Sequence, residues 1–346
     1  MENILNYNIQ ELEEYMTSIG EKKFRASQVF KWISNGIDSW DKMTNISKEL
    51  SKKLESDFYI GLPAPILVQK SAIDGTIKVL FQLLNNENRL SEENIESVYM
   101  KYSYGNTICI SSELGCKMGC KFCASTKNGL IRGLSSGEMY GQVLSINNLT
   151  GEKINHIVVM GIGEPFDNYE ELSKFIRLIN NHKGYNLGMR NITISSCGII
   201  PYIDRFAHDF PQVNLAISLH APNDEIRKTI MPIANKYKIT DLIDECKKYT
   251  LKTHRRVTFE YALIRGINDS IEDARELSKL LSGILCHVNL IPLNDVDNTN
   301  LNASKEVSIY NFKKVLDNNS IPVTIRRKLG SDIDAACGQL RARKGV

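Results

Sequence analysis

CKMGCKFC, residues 116–123, places three cysteines in the spacing Cys-x-x-x-Cys-x-x-Cys. Iron–sulfur clusters are commonly held by four cysteine thiolates, and structural zinc sites also take four ligands. Three thiolates can hold three corners of a cubane [4Fe–4S] cluster and leave the fourth iron open to a substrate. Because no fourth partner stands nearby in the sequence, the triplet indicates an open, reactive iron site. A zinc knuckle is the competing interpretation of the spacing alone.

From about Asn106 onward, strand-like runs rich in β-branched residues alternate with amphipathic helical stretches. This alternation predicts βαβ units and a parallel sheet with right-handed crossovers. Six units are too few for a closed eight-stranded barrel, so we expect an α/β fold, an open partial (βα)6 barrel. The predicted strands are NTICISS, NHIVVMG, RNITISS, QVNLAISLH, RRVTFEYALI, HVNLIPLN and IPVTIRR. The predicted helices are one that starts at the capping box Ser135-x-x-Glu138, then NYEELSKFIRLINN, TDLIDECKKYTLKT, IEDARELSKLLSG and EVSIYNFKKVLDNN.

The residues best suited to chemistry fall where the predicted strands end. The cysteine triplet follows NTICISS, Gly163 and Glu164 follow NHIVVMG, His220 ends QVNLAISLH, and Asn294 ends HVNLIPLN. In barrels of this kind the active site lies at the carboxyl ends of the strands. The sequence therefore predicts one shared site that contains all of them.

Four segments are expected along the chain. Residues 1–62 form a small helical N-terminal domain, since NIQELEEYMTSIG and RASQVFKWISNG have helical periodicity and each ends at a glycine. Residues 63–104 form a β-rich extension that begins at two prolines. Residues 105–320 form the partial barrel, and residues 321–346 carry the last strand and the tail.

Composition excludes several classes of protein. The 346 residues are 42% hydrophobic and 24% charged, which is typical of globular proteins. No apolar run reaches the roughly 18 residues of a membrane span, and the acidic start MENILNYNIQELEEY lacks the features of a signal peptide. A cytoplasmic protein is expected. Its eight cysteines then indicate metal binding or catalysis more than a disulfide scaffold.

The C-terminal segment is basic and contains a conspicuous thiol. Six basic residues and two acidic ones lie within 321–346, a balance that suits a polyanionic partner or simply a solvated tail. Cys337 stands among small residues outside the βα alternation, where a thiol can be reached. Cys109 lies on the first predicted barrel strand. Cys197, Cys246 and Cys286 fall in strand or helix contexts and are interpreted as structural.

Taken together, CISSELGCKMGCKFCAST, GIGEPFDN, NLAISLHAPND, HVNLIPLN and DIDAACGQLRA resemble the RlmN-type adenine-C2 methyltransferases of the radical S-adenosylmethionine (SAM) superfamily. The resemblance extends over nearly the whole chain. It implies that the cysteine triplet binds a [4Fe–4S] cluster through Cys116, Cys120 and Cys123. It also implies that SAM contacts the following residues: Gly163, Glu164, Ser195, Ser218, Leu219, His220 and Asn294.

The resemblance further implies a mechanism that uses two SAM molecules per turnover. The first methylates Cys337, and the second yields a 5′-deoxyadenosyl radical that takes a hydrogen atom from the new methyl group. The methylene radical then adds to adenine C2. Cys109 next attacks the sulfur of Cys337, which leaves a disulfide and frees the methylated base. Glu96 matches the glutamate that removes the C2 proton.

The resemblance implies 23S ribosomal RNA as substrate, tRNA as a second substrate, a flavodoxin as electron donor and a monomer that acts away from membranes. Residues 1–62 and the basic residues Arg326, Arg327, Arg341 and Arg343 are the expected RNA contacts. Two alternatives stay open. A Cfr-type adenine-C8 methyltransferase that confers antibiotic resistance shares the five cysteines, although Pro165 favours C2. A non-catalytic zinc and RNA-binding protein is a more distant alternative.

Overall fold

The computed structural model describes residues 1–294 and 301–340. Within these ranges the chain forms fourteen strands: β1 (Glu2–Asn3), β2 (Phe58–Tyr59), β3 (Ala64–Lys70), β4 (Ile77–Leu84), β5 (Leu90–Tyr102), β6 (Gly105–Ile110), β7 (Glu113–Gly115), β8 (Leu130–Gly133), β9 (His156–Val159), β10 (Ile192–Ser196), β11 (Asn214–Ser218), β12 (Val257–Leu263), β13 (Cys286–Pro292) and β14 (Val323–Ile325). The same ranges contain ten α-helices: α1 (Ile9–Ser18), α2 (Phe24–Ser34), α3 (Lys48–Asp57), α4 (Ser136–Thr150), α5 (Tyr169–Asn180), α6 (Pro201–Asp209), α7 (Asp224–Ile230), α8 (Ile239–Thr253), α9 (Ile271–Leu280) and α10 (Glu306–Asn318).

The central feature is a ten-stranded sheet in the order β14-β13-β12-β11-β10-β9-β6-β5-β4-β3. Strands β6 and β9 to β14 pair in parallel, and a helix or helix pair follows each of the first six. This confirms the predicted α/β fold with a partial (βα)6 barrel. The inner strands are apolar because both faces are covered, as parallel sheets require.

Strands β3, β4 and β5 extend the same sheet on one side with antiparallel pairing. Val98 of β5 pairs with Cys109 of β6, so the β-rich segment is continuous with the barrel sheet. The turn between β5 and β6 consists of residues 103 and 104, because Tyr102 pairs with Gly105. This turn brings the end of β5 next to the first barrel strand.

The N-terminal segment contacts the start of α4 through Asn6, just before helix α1. Asn8 forms a capping box with Glu11 at the start of α1, and Leu12 and Met16 bury the apolar face of that helix. The side chain of Asn6 accepts a 2.7 Å hydrogen bond from the N–H of Gly137. A Cβ atom on Gly137 would lie 2.6 Å from the same side-chain oxygen, so only glycine permits this approach.

Helix α4 begins as predicted. The Ser135 side chain accepts a hydrogen bond from the N–H of Glu138, and the Glu138 carboxylate accepts one from the N–H of Ser135.

Among the described residues, no helix has both the length and the apolar character needed to cross a membrane.

Candidate active site

The cysteine triplet lies on the loop between β7 and β8, which follows the first barrel strand. Gly115 has φ +76°, and a Cβ atom there would lie 1.9 Å from the Gly129 carbonyl oxygen, so the turn into the loop requires glycine. Cys116, Cys120 and Cys123 all line one cavity at the carboxyl ends of the barrel strands. Burial raises the pKa of Cys116 to about 12 and raises the pKa of the other two thiols. Such thiols need a cation or cluster to hold their thiolate form.

We call this space the cofactor cavity. It contains nearly all of the residues that the sequence assigns to the cluster and to SAM: Cys116, Cys120, Cys123, Gly163, Glu164, Ser195, Ser218, His220 and Asn294. Leu219 differs, since its side chain is fully buried and is not among the described lining residues. Gly163 has φ +112°, and a Cβ atom there would lie 2.7 Å from the Ser112 hydroxyl, so this part of the cavity wall requires glycine. Three thiols can hold a cluster that takes three protein ligands, and the polar pocket beside them can hold a polar molecule bound to the open iron.

Glu164 is held by backbone donors. Its Oε2 accepts a 2.7 Å bond from the N–H of Cys197, and its Oε1 accepts a 3.0 Å bond from the N–H of Phe166. Burial raises the pKa of Glu164, and these hydrogen bonds oppose the rise. A carboxylate oxygen can accept a second hydrogen bond, so Glu164 can still bind an ammonium group in the cavity.

Two hydroxyls and one imidazole complete the polar wall. Ser195 Oγ and Ser218 Oγ lie 3.5 Å apart on neighbouring strands β10 and β11. His220 has φ +57°, and its Nδ1 accepts a 2.9 Å bond from the N–H of Ala262. Burial lowers the pKa of His220 to about 3, so the ring is neutral and carries its proton on Nε2. Phe122 packs edge-to-face on this ring, 4.7 Å between centroids, beside the cluster loop.

The tail folds back over the cysteine loop. The Ala124 N–H donates a 2.7 Å bond to the Gly338 carbonyl, and the Ser125 hydroxyl donates a 2.8 Å bond to the Leu340 carbonyl. These bonds hold Cys337 at the wall of the cofactor cavity. Cys337 also lines an adjoining space, the carrier cavity, together with Cys109, Met160, Asn294 and Arg326.

All eight cysteines are free thiols in this structure. The disulfide between Cys109 and Cys337 that the resemblance implies is therefore absent from this state, although both thiols face the same cavity. Burial raises the pKa of Cys109 to about 12.

Glu96 is placed differently from the thiols. It lies on β5 two residues before Val98, so both side chains face the same side of the sheet. The Glu96 side chain is buried, and its Oε1 lies 3.7 Å from the Lys78 ammonium. Glu96 is not among the described residues that line either cavity.

Sequence reasoning missed a buried ion pair between the two cavities. Glu260 of β12 lines the cofactor cavity and is 4% exposed, and its Oε2 lies 3.7 Å from an Arg326 guanidinium nitrogen. Electrostatic interaction with Cys337, and then with Glu260, raises the pKa of Arg326, while burial opposes the rise. Arg326 thus lies at the wall shared by the two cavities, and its expected contact with RNA stays a prediction. An acidic residue inside the apolar run RRVTFEYALI was the available signal for Glu260.

Three other residues depart from or fall outside the expectations. Cys197, interpreted as structural, lines the cofactor cavity. Arg341 and Arg343, two of the expected RNA contacts, lie outside the described residues.

Two family models match the chain. Residues 2–60 match the ribosomal RNA large subunit methyltransferase N-terminal domain, and residues 111–278 match the radical SAM superfamily. Proteins named "Probable dual-specificity RNA methyltransferase RlmN" are 50% identical in Clostridium novyi and 51% identical in Lachnospira eligens. Each alignment covers 99% of this chain; it covers 98% of the Clostridium novyi protein and 96% of the Lachnospira eligens protein.

The chain belongs to the RlmN family. It is a radical SAM RNA methyltransferase, and its superfamily uses SAM and a [4Fe–4S] cluster. A solved radical SAM methyltransferase from Sphaerobacter thermophilus superposes with a TM-score of 0.93 at 41% identity, over 99% of this chain and 100% of that one. The fold of that methyltransferase is therefore shared over nearly the whole of the described chain.

Proposed function

We propose that this RlmN family member methylates C2 of an adenosine in 23S ribosomal RNA and in tRNA, with Cys337 as the methyl carrier. The observation that carries the proposal is that Cys337 lines both the cofactor cavity and the carrier cavity. A methyl group on this sulfur would face the cysteine triplet on one side and Cys109 on the other.

The chemistry of the substrate supports a radical route. Adenine C2 lies between two ring nitrogens and is electron-poor, so it cannot displace a methyl group from SAM directly. When bound, the cluster and two SAM molecules per turnover supply one methyl group and a hydrogen-abstracting radical. The Cys337 thiolate takes the methyl group and holds it in place.

Release of the product uses two residues of the chain. The adduct formed at C2 must lose one proton and one electron: Glu96 accepts the proton, and the electron would return to the cluster that the cysteine triplet would hold. The Cys109 thiolate then attacks the Cys337 sulfur, so an S–S bond forms as the S–C bond to the base breaks; the departing carbon keeps the electron pair of that bond and takes a proton from solvent, which completes the methyl group. Each turnover ends with a disulfide that a two-electron external reductant must reduce. Flavodoxin is our candidate for the enzyme's electron donor.

The remaining expectations belong to the same proposal. We assign cluster binding to the triplet and SAM contacts to Gly163, Glu164, Ser195, Ser218, Leu219, His220 and Asn294. Segments 1–62, 63–104, 105–320 and 321–346 are the proposed units, the first of which contacts RNA. The enzyme is proposed to act as a monomer in the cytoplasm.

The test is mass spectrometry of RNA treated with the anaerobically reconstituted enzyme, SAM and a reductant. We expect 2-methyladenosine from the wild type. Cys109→Ala should give protein covalently linked to RNA through Cys337, whereas Cys286→Ala, which changes a thiol outside both cavities, should give free product. Appearance of 8-methyladenosine would overturn the C2 assignment. Free product from Cys109→Ala would refute the role of Cys109.

A further inference from the structure

A pair of stacked tyrosines stands at the edge of the carrier cavity. The rings of Tyr102 and Tyr104 are 4.9 Å apart and nearly parallel, with an interplanar angle of 9°. Tyr102 lines the carrier cavity, and Tyr104 is 66% exposed. His156 packs edge-on against Tyr104, 5.4 Å between centroids, which supports the ring from the side.

The position of this pair is fixed by the sheet. Tyr102 ends β5, Gly105 begins β6, and Tyr104 occupies the two-residue turn between them. The turn adjoins β6, which also carries Cys109. The exposed ring of Tyr104 leaves apolar surface in contact with water, which is unfavourable. Neither the methyl-transfer steps nor the packing of the core uses this ring.

The charge around the pair is positive. The residues that line the carrier cavity include Arg326, Arg327 and Lys328, and none of the described lining residues is acidic. Arg327 and Lys328 are exposed. Burial raises the pKa of Tyr104, and the charges of Arg326 and Arg327 oppose that rise.

We propose that Tyr104 stacks on the base next to the target adenine in single-stranded RNA, and that Arg327 contacts a phosphate of the same strand. An aromatic face beside cationic side chains is the usual platform for an unpaired nucleotide. Its place at the rim of the carrier cavity means that a strand bound there can insert the neighbouring base toward Cys337. The inference rests on the proposed RNA substrate and names its subsite.

Binding is tested with the reconstituted holoenzyme in the absence of SAM. The first probe is an RNA hairpin whose loop contains an adenosine with 2-aminopurine on its 5′ or 3′ side, and a second hairpin carries 2-aminopurine on the opposite side. The fluorescence of 2-aminopurine falls when the base stacks on an aromatic ring. Tyr104→Leu keeps the bulk but removes the ring, and we expect Kd to rise about tenfold with loss of quenching on one of the two probes. Tyr104→Trp should restore both. Leu251→Ala, which removes a 75% exposed side chain from α8, is the control and should change neither.

Salt dependence tests the phosphate contact separately. Arg327→Gln should lower the slope of log Kd against log salt by about 0.7, the contribution of one phosphate contact on a single strand. In turnover, Tyr104→Leu should raise KM for RNA and leave kcat at saturating RNA unchanged. Wild-type Kd and quenching in Tyr104→Leu would overturn the inference. Because binding is read without SAM, a wild type that makes no 2-methyladenosine while Tyr104→Leu still weakens binding would refute the proposed function and support this subsite.

Discussion

The side-chain amide of Asn294 donates a 3.1 Å hydrogen bond to the carbonyl oxygen of Cys337. Asn294 follows barrel strand β13, and Cys337 lies in the tail, so this bond joins the proposed SAM site to the proposed methyl carrier. A residue that touches both can set the distance between the methyl donor and its acceptor.

Asn294→Ala should therefore slow the methylation of Cys337. Loss of one hydrogen bond of about 1 kcal/mol corresponds to about fivefold in the population of the ordered loop. The measurement is the intact mass of the protein, which follows methyl transfer from SAM over time. Asn319→Ala removes a comparable bond, from the Asn319 amide to the Val315 carbonyl on α10, and should not change the rate. Equal rates in Asn294→Ala and the wild type would show that the bond does not position Cys337.

The resolving step should depend on pH through Cys109. Burial raises the pKa of Cys109 to about 12, so the thiol is protonated near neutral pH and only its small thiolate fraction can attack. As long as the pH is below the pKa, the thiolate fraction increases about tenfold for each unit by which the pH rises. We expect RNA release from the covalent adduct, followed by rapid quench and gel electrophoresis, to accelerate by about tenfold per unit between about pH 7 and about pH 9. A flat profile over that interval would contradict attack by a buried thiol.

Glu113 should make the cluster-free protein less stable as the pH rises. Burial raises the pKa of Glu113 from 4.5 to about 8, while the hydrogen bond from the Glu164 N–H opposes this rise. The folded state thus holds a proton that the unfolded state releases, and the free energy of unfolding falls as the pH rises from about 4.5 through about 8. Glu113→Gln keeps an acceptor for the Glu164 N–H but has no proton to lose.

The stability gained by Glu113→Gln over the wild type should therefore grow across that pH window and level off above it. Urea unfolding at a series of pH values measures the difference. Glu55→Gln on the exposed face of α3 should show no such growth. A constant difference for Glu113→Gln would mean that the carboxyl titrates normally.

Glu96→Gln should abolish product formation while SAM cleavage continues. Removal of a general base commonly costs about 100-fold or more in rate, and the amide preserves the shape of the side chain. The readouts are 2-methyladenosine and 5′-deoxyadenosine, quantified from the same reaction. Glu92→Gln, an exposed position on the same strand, should retain both products. Normal methylation by Glu96→Gln would remove Glu96 from the mechanism.

The strands were predictable from sequence because a parallel barrel buries both faces of each strand, which leaves long β-branched runs. Helix α6 was not predicted. It has nine residues, and only Ile203, Phe206 and Ala207 are buried, so its apolar periodicity is too short to register. Pro201 at its first position was the local signal for a helix start. The start of β5 has no strand signal in the sequence, because residues 91–94 are polar and lie outside the core.

The residues of the candidate site also differ in whether the sequence alone predicts their positions. Residues that follow strands, such as Glu164 and His220, could be placed because parallel topology gathers strand ends at one edge. The ion pair of Glu260 and Arg326 could not be placed, because it joins residues that are 66 positions apart in the sequence and depends on the approach of β14. Glu96 and Cys109 entered through resemblance, since a buried strand carboxyl or thiol has no periodic signal of its own.

The bonds from Ala124 and Ser125 to the tail carbonyls have a thermodynamic consequence. Any ligand that orders the triplet loop also favours closure of the tail, and closure of the tail favours the ligand to the same extent. In the proposed function, loading of the triplet with its cluster and seating of Cys337 are therefore linked equilibria. Neither can be strengthened without the other, which couples the proposed radical source to the proposed methyl carrier.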